Sequence, residues 1–233
     1  MPTPVARRIV FPLVALLGLA LLAPAPALAH EGNGEERFVY RWELKKLAAL
    51  LGGILLPGRG TGLLTVEPRE DGHVQSELLI TSEQSDEGEF WRYGAEIDTD
   101  LGQTLRAWTS YLWRGESKSE SSRIEENGVI DVASGIYQLR QDPPDQPRRM
   151  RIWSDGKIYP VLVVPEGEET RTLPGGRTVE TQHFRIRGLD ISGERYWKGH
   201  MDVWLAQDEA STPVEIYFNR TLVGVRLQLD QPP

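Results

Sequence analysis

The sequence predicts a mostly β protein: a strongly curved antiparallel sheet or incomplete β-barrel of about ten strands, with one helix packed against it. Three observations carry that expectation. Apolar and polar residues alternate with period two in many short runs, as antiparallel strands with one buried face require. Turn pairs such as Asp71-Gly72, Asn127-Gly128, Asp155-Gly156, Gly175-Gly176 and Ser192-Gly193 fall between those runs. A single segment, by contrast, places its apolar residues at helical spacing.

Taken in order, the first 29 residues read as an export signal. Arg7-Arg8 form a short basic region, Ile9 to Leu22 carry no charge, and Ala27-Leu28-Ala29 offers a small-residue cleavage site before His30. The apolar run falls short of the roughly 20 residues a membrane-spanning helix needs, so a cleaved leader is expected rather than a transmembrane anchor. No cysteine follows the site, which excludes lipid attachment there. Residues 30–233 are then read as one β-rich exported domain in the periplasm.

Phe38, Tyr40 and Trp42 alternate with Val39, Arg41 and Glu43 and open the domain as a strand. The stretch 44–60, "LKKLAALLGGILLPGRG", breaks the rhythm: Leu44, Leu47 and Leu51 share a helical face, and Gly52-Gly53 stop it. A core element, a cavity wall and a membrane-touching loop all remain open for it. In "DVASGIYQLR" (131–140), Val132, Ile136 and Leu139 recur at i, i+4 and i+7. Asp131 is placed to cap this helix and Pro143-Pro144 to close it, while Gly135 inside it implies close packing. Strands then recur around Met150 and Ile152, and around Phe184 and Ile186. Met201 to Leu205 and Val214 to Phe218 read as an antiparallel pair. Gln207 to Thr212 turn the chain between them, and Pro213 begins the second strand. Val223 to Leu229 form the last run.

Composition narrows the chemistry. The net charge is −8, and −10 once Arg7 and Arg8 are removed, so a phosphate backbone is repelled and no nucleic-acid partner is expected. There is no cysteine, which removes disulfides, thiolate metal sites and thiol catalysis together. No G-x-S-x-G elbow, phosphate-binding glycine loop or dinucleotide fingerprint occurs. Asp208-Glu209, Glu168-Glu169 and Glu125-Glu126 are adjacent carboxylates, but neighbours along a strand point to opposite faces, so they read as solvated turn residues. The chain is therefore expected not to be an enzyme and to need no cofactor.

Only four histidines are present, and none has the spacing of a helical zinc pair. His30 would become the new N-terminus after cleavage. Its amine and imidazole could chelate copper with help from His183 or His200, which makes it a weak metal candidate. The aromatic residues give a stronger indication. Trp91 with Tyr93, and Trp108 with Tyr111 and Trp113, form a dense zone in the first half of the chain. Large flat side chains fill cores, and they also line clefts for sugars or acyl chains. With Ile136 and Tyr137 of the helix, these residues are the candidate ligand-binding set.

The stretch "VWLAQDEASTPVEI" (203–216) and the "VGVRLQL" that follows resemble the C-terminal signature of domain of unknown function 3108, a family of exported Gram-negative proteins. Asp208, Pro213-Val214 and Gly224 match its positions. "IDVASGIYQLR" resembles the family's central helix, and "WSDGKIYPVLVVPEGEETRTLPGG" its following hairpins. The similarity covers roughly residues 36–230 and is sharpest after residue 129. It implies a periplasmic, β-rich protein and brings no catalytic residues. The expected function is non-catalytic binding in the cell envelope, with a lipid or other apolar ligand held between sheet and helix. The alternative is an assembly or scaffold protein that contacts another envelope protein.

Overall fold

A computed structural model of the protein describes residues 34–44, 59–83, 88–113, 115–220 and 223–230. The strands are β1 (Glu36–Leu44), β2 (Arg59–Pro68), β3 (His73–Ser82), β4 (Phe90–Asp98), β5 (Gln103–Trp113), β6 (Glu116–Arg123) and β7 (Val129–Ile130). Helix α1 (Val132–Gln141) follows, then β8 (Arg148–Ser154), β9 (Lys157–Thr172), β10 (Thr178–Gly188), β11 (His200–Ala206), β12 (Pro213–Arg220) and β13 (Val223–Leu229). All thirteen strands belong to one sheet, in the order β6-β5-β4-β3-β2-β1-β13-β12-β11-β10-β9-β8-β7. The expectation of about ten strands is thus corrected upward. Edge strand β6 is polar throughout and β7 has two residues, so neither carries a legible alternation.

The topology itself forces the curvature. The chain walks outward from the centre to edge strand β6, then restarts at the opposite edge with β7. Thirteen strands laid flat would span roughly 60 Å at the normal inter-strand spacing. Residues 124–128, which join the two edges, reach no more than roughly 20 Å. The sheet must curl until its edges approach, yet they do not pair, and the barrel is left unclosed. A small apolar cluster of Ala107, Ile124, Val129 and Trp153 fills the seam instead. Register places Glu116, Lys118 and Glu120 of β6 opposite Trp113, Tyr111 and Thr109, so these charged residues share the inner face at the edge. Inward-pointing charges of this kind discourage a further strand from pairing.

Inside the curl lies one core. Phe38, Tyr40 and Trp42 of β1 meet Leu64, Leu78, Ile80, Phe184, Ile186, Val203, Ile216 and Leu227, and α1 adds Ile136 and Leu139. In β2 and β3 burial alternates residue by residue, as the apolar alternation predicts. Tyr40 is fully buried and donates to the Pro213 carbonyl at 2.7 Å. Burial pushes its phenol ionisation far up, so it remains a donor.

Helix α1 starts where the sequence predicts. Asp131 accepts from the Ser134 amide at 2.7 Å, and Ser134 Oγ accepts from the Asp131 amide at 2.8 Å, a reciprocal cap. At the other end, buried Arg140 pairs with Glu36 at 2.6 Å and donates to the Ala210 carbonyl at 3.0 Å. Its guanidinium also lies over the Phe38 ring. One side chain thereby ties the helix to β1 and to the β11–β12 turn. In that turn the Thr212 amide donates to Asp208 Oδ1 at 2.9 Å and Ser211 takes a left-handed conformation. Asp208 is thus a turn residue, as expected. Leu44 ends strand β1, which corrects its assignment to a helical face, and residues 45–58 and His30 lie outside the described residues.

Candidate functional site

Beneath the helix, Ile130, Gly135, Leu139, Val163 and Ile186 line a recess of ≈ 10 Å³, room for one water at most. Ile136 is completely buried and Tyr137 half-buried. Gly135 explains the fit. A Cβ at this position would stand 3.3 Å from Ile130 Cδ1 and 3.5 Å from Met201 Cε, so the helix approaches the sheet closely. Of the candidate binding residues, Ile136 belongs to the packed core.

The aromatic set divides by parity. Trp91 and Tyr93 follow the inward positions of β4, continuing from Ala95 and Ile97. Register sets Trp91 opposite Tyr111 and Tyr93 opposite Thr109, so Tyr111 and, two residues on, Trp113 share that face. Trp91 and Trp113 meet with ring centroids 4.9 Å apart, and Tyr93 meets Phe218 of β12 edge-on at 6.0 Å. All five rings are half-buried. They form an aromatic wall on the inner face of the sheet, toward the end where β4 begins and β5 finishes. Trp108 is not part of it. Its even position turns it to the outer face, where the indole lies over Gly94 so closely that any Cβ there would collide with the ring. This corrects the grouping of Trp108 with Tyr111 and Trp113.

A second cluster brings together His183, His200 and Glu169, which the sequence named only separately, with charged groups it did not single out. On the outer face of β9 to β13, charged side chains are buried by one another. Glu215 is 1% exposed and receives Arg226 through Nε at 2.7 Å and Nη2 at 2.9 Å, Gln228 at 3.1 Å, and Arg171. Asp202 is 3% exposed and accepts from Arg185 Nε at 2.7 Å. His183 lies between two carboxylates. Its Nε2 is 2.9 Å from Asp202 Oδ1 and its Nδ1 is 2.9 Å from Glu169 Oε1. Its ring stacks on Trp204 at 4.3 Å, and the Arg171 guanidinium covers Trp204 at 4.4 Å. Burial alone would raise the Asp202 carboxyl, but hydrogen bonds from His183 and Arg185 outweigh it and hold the group below the usual carboxylate range.

Strand registry creates this network, setting His183 opposite Trp204 and Trp204 opposite Glu215. The available signal was alternation of apolar residues with His, Arg, Asp and Glu in "HFRIR", "MDVWL" and "VEIYF", which sets groups of opposite charge on one face. Glu169, read as a solvated loop carboxylate, is instead half-exposed within β9 and bonded to His183. His200 stands 3.6 Å from Asp202. Among the described residues, no group of three or more His, Asp and Glu side chains converges as a metal site. No described helix is long and apolar enough to cross a membrane.

These features define a class: a β-rich, barrel-like protein with an unclosed sheet, a filled helix–sheet interface and a half-buried inner aromatic wall. Within that class the chain belongs to the family described as "Protein of unknown function (DUF3108)", whose model matches residues 89–230. The match takes in β4 to β13 and does not reach β1 to β3, so it is shorter than the 36–230 over which the resemblance was expected. The fold is similar to the crystal structure of a β-barrel-like protein of domain of unknown function DUF1849 from Brucella abortus. The TM-score is 0.54 at 9% identity, covering 84% of this chain and 95% of that one. No curated protein matches the chain.

Proposed function

We propose that this is a non-catalytic, exported binding protein of the periplasm that takes an apolar or amphiphilic ligand, such as a lipid, on the inner aromatic wall. The carrying observation is the pairing of Trp91 with Trp113 beside Tyr93, Tyr111 and Phe218, half-buried on the concave side of an unclosed sheet. Flat rings bury acyl or ring surface while making few polar demands on a ligand. The interval under the helix is too small for such a ligand, so the wall is the better place for it. Native mass spectrometry of the protein from its own envelope fraction should show a bound amphiphile. Trp91→Ala and Trp113→Ala should each lose it while the protein stays folded, at a cost of about 1–2 kcal/mol for a half-buried ring. A protein free of any amphiphile, with tryptophan emission indifferent to added lysophospholipid, would sink the reading.

The filled interval under α1 favours a second reading, an assembly or scaffold protein that offers the same aromatic wall to another envelope protein. In that case cross-linking from position 113 should capture one protein, and no lipid.

A further inference from the structure

Strand β6 reverses the usual order of a half-wet sheet. Its outer positions are Ser117, Ser119 and Ser121, with Arg123 at the far end, while Glu116, Lys118 and Glu120 face inward. Charged side chains on either face would blunt an edge strand, so edge protection does not explain why these three stand on the concave side. Beside them there is the aromatic wall. Trp113, Tyr111 and Thr109 lie directly opposite Glu116, Lys118 and Glu120 in register. Opposed residues on neighbouring strands carry their Cβ atoms roughly 5 Å apart. The inner face therefore passes from half-buried rings to charged groups within one strand spacing.

The three charges are not equivalent. Lys118 Nζ lies 2.8 Å from Glu120 Oε1, so those two neutralise each other. Glu116 is exposed and makes no ion pair among the described residues. It stands opposite Trp113, whose ring meets Trp91 at 4.9 Å with the planes tilted by 35°. An indole face attracts a cation through its quadrupole, and a carboxylate nearby adds a full negative charge. The chain as a whole carries a net charge of −8. A cationic group is thus drawn toward this face and an anionic one held off.

With the wall taken as the binding surface, on which this rests, we propose that the ligand is an amphiphile whose head group carries a positively charged nitrogen. Glu116 and the Trp91–Trp113 pair hold that nitrogen, and the apolar part lies along Tyr93 and Tyr111. A quaternary ammonium suits such a place, because it asks for a ring face and a nearby anion and for no hydrogen-bond acceptor. A fatty acid or other purely anionic amphiphile sets like charge against Glu116. An uncharged head group leaves that carboxylate without a role.

Calorimetric titration of the intact protein with three lipids of one acyl chain, each below its critical micelle concentration, tests this. Lysophosphatidylcholine should bind about tenfold more tightly than lysophosphatidylglycerol and than the uncharged monoacylglycerol. Glu116→Gln, an exposed substitution, should bring the choline lipid down to the monoacylglycerol level and leave the latter unchanged. Lys118→Ala releases Glu120 and should widen the preference for the choline lipid. Equal affinity for the three lipids overturns the head-group assignment and leaves the wall as the binding surface, as does a preference that survives in Glu116→Gln. Failure of all three lipids to bind overturns the wall as a lipid site, and the head-group assignment with it.

Discussion

The two faces of strands β10 to β12 are both buried, and they are buried by opposite means. Inward, Phe184, Ile186, Val203 and Ile216 exclude water by apolar contact. Outward, His183, Asp202 and Glu215 are nearly as inaccessible, yet every one of them is charged or polar and is covered by its own partners. Apolar burial is non-directional and scales with area. Polar burial depends on each bond being made, and removing one member leaves the others stranded. A single strand thus faces a tolerant environment on one side and an exacting one on the other.

Substitutions can break this comparison or sharpen it. The largest effect belongs to the inner face: Phe184→Ala should cost about 4 kcal/mol in urea unfolding, through lost transfer energy and a cavity. Next comes Glu215→Ala, at about 2 kcal/mol. Arg171 and Arg226 lose their shared acceptor but are partly exposed, which discounts the penalty for a fully buried pair. Glu215→Gln should recover part of that loss by keeping acceptors for Arg226. If Glu215→Ala were neutral, the outer network would be decoration. At the helix, Asp131→Ala removes the carboxylate half of the cap, leaving the backbone amide of residue 131 on Ser134 Oγ, and should cost about 1 kcal/mol. The smallest effect is expected for Gly135→Ala, within about 0.5 kcal/mol of wild type. Helix propensity favours alanine, while the crowding atoms, Ile130 Cδ1 and Met201 Cε, are the ends of flexible side chains.

The difference between the faces also governs what could be read from the sequence. Inward residues announce themselves by alternation, so strands β1, β8 and β10 to β13, the 131–140 helix with its Asp131 cap, and the Gln207–Thr212 turn were legible, whereas the far half of β9 read as a turn at Glu168-Glu169. Strand β6, "ESKSESSR", was not, because an edge strand with charges on its inner face has no apolar signature. Of the aromatic set, Trp91, Tyr93, Tyr111 and Trp113 share a wall, whereas Trp108 shows how one step of parity reverses a side chain's face. The His183–Glu169–Asp202 contacts join residues 14 and 19 positions apart through strand registry. Periodicity tells which face a residue occupies, but not which residue lies across from it.

The gap between the sheet's edges has a mechanical meaning. A closed barrel has a fixed girth, because widening it means tearing a column of backbone bonds. Here β6 and β7 are not bonded to each other; the Ala107, Ile124, Val129 and Trp153 contacts cross the slit, and inside it helix α1 reaches β3 through Ser76 Oγ on the Ala133 carbonyl. The girth is therefore set by side-chain packing and by the short 124–128 link rather than by a closed column of backbone bonds.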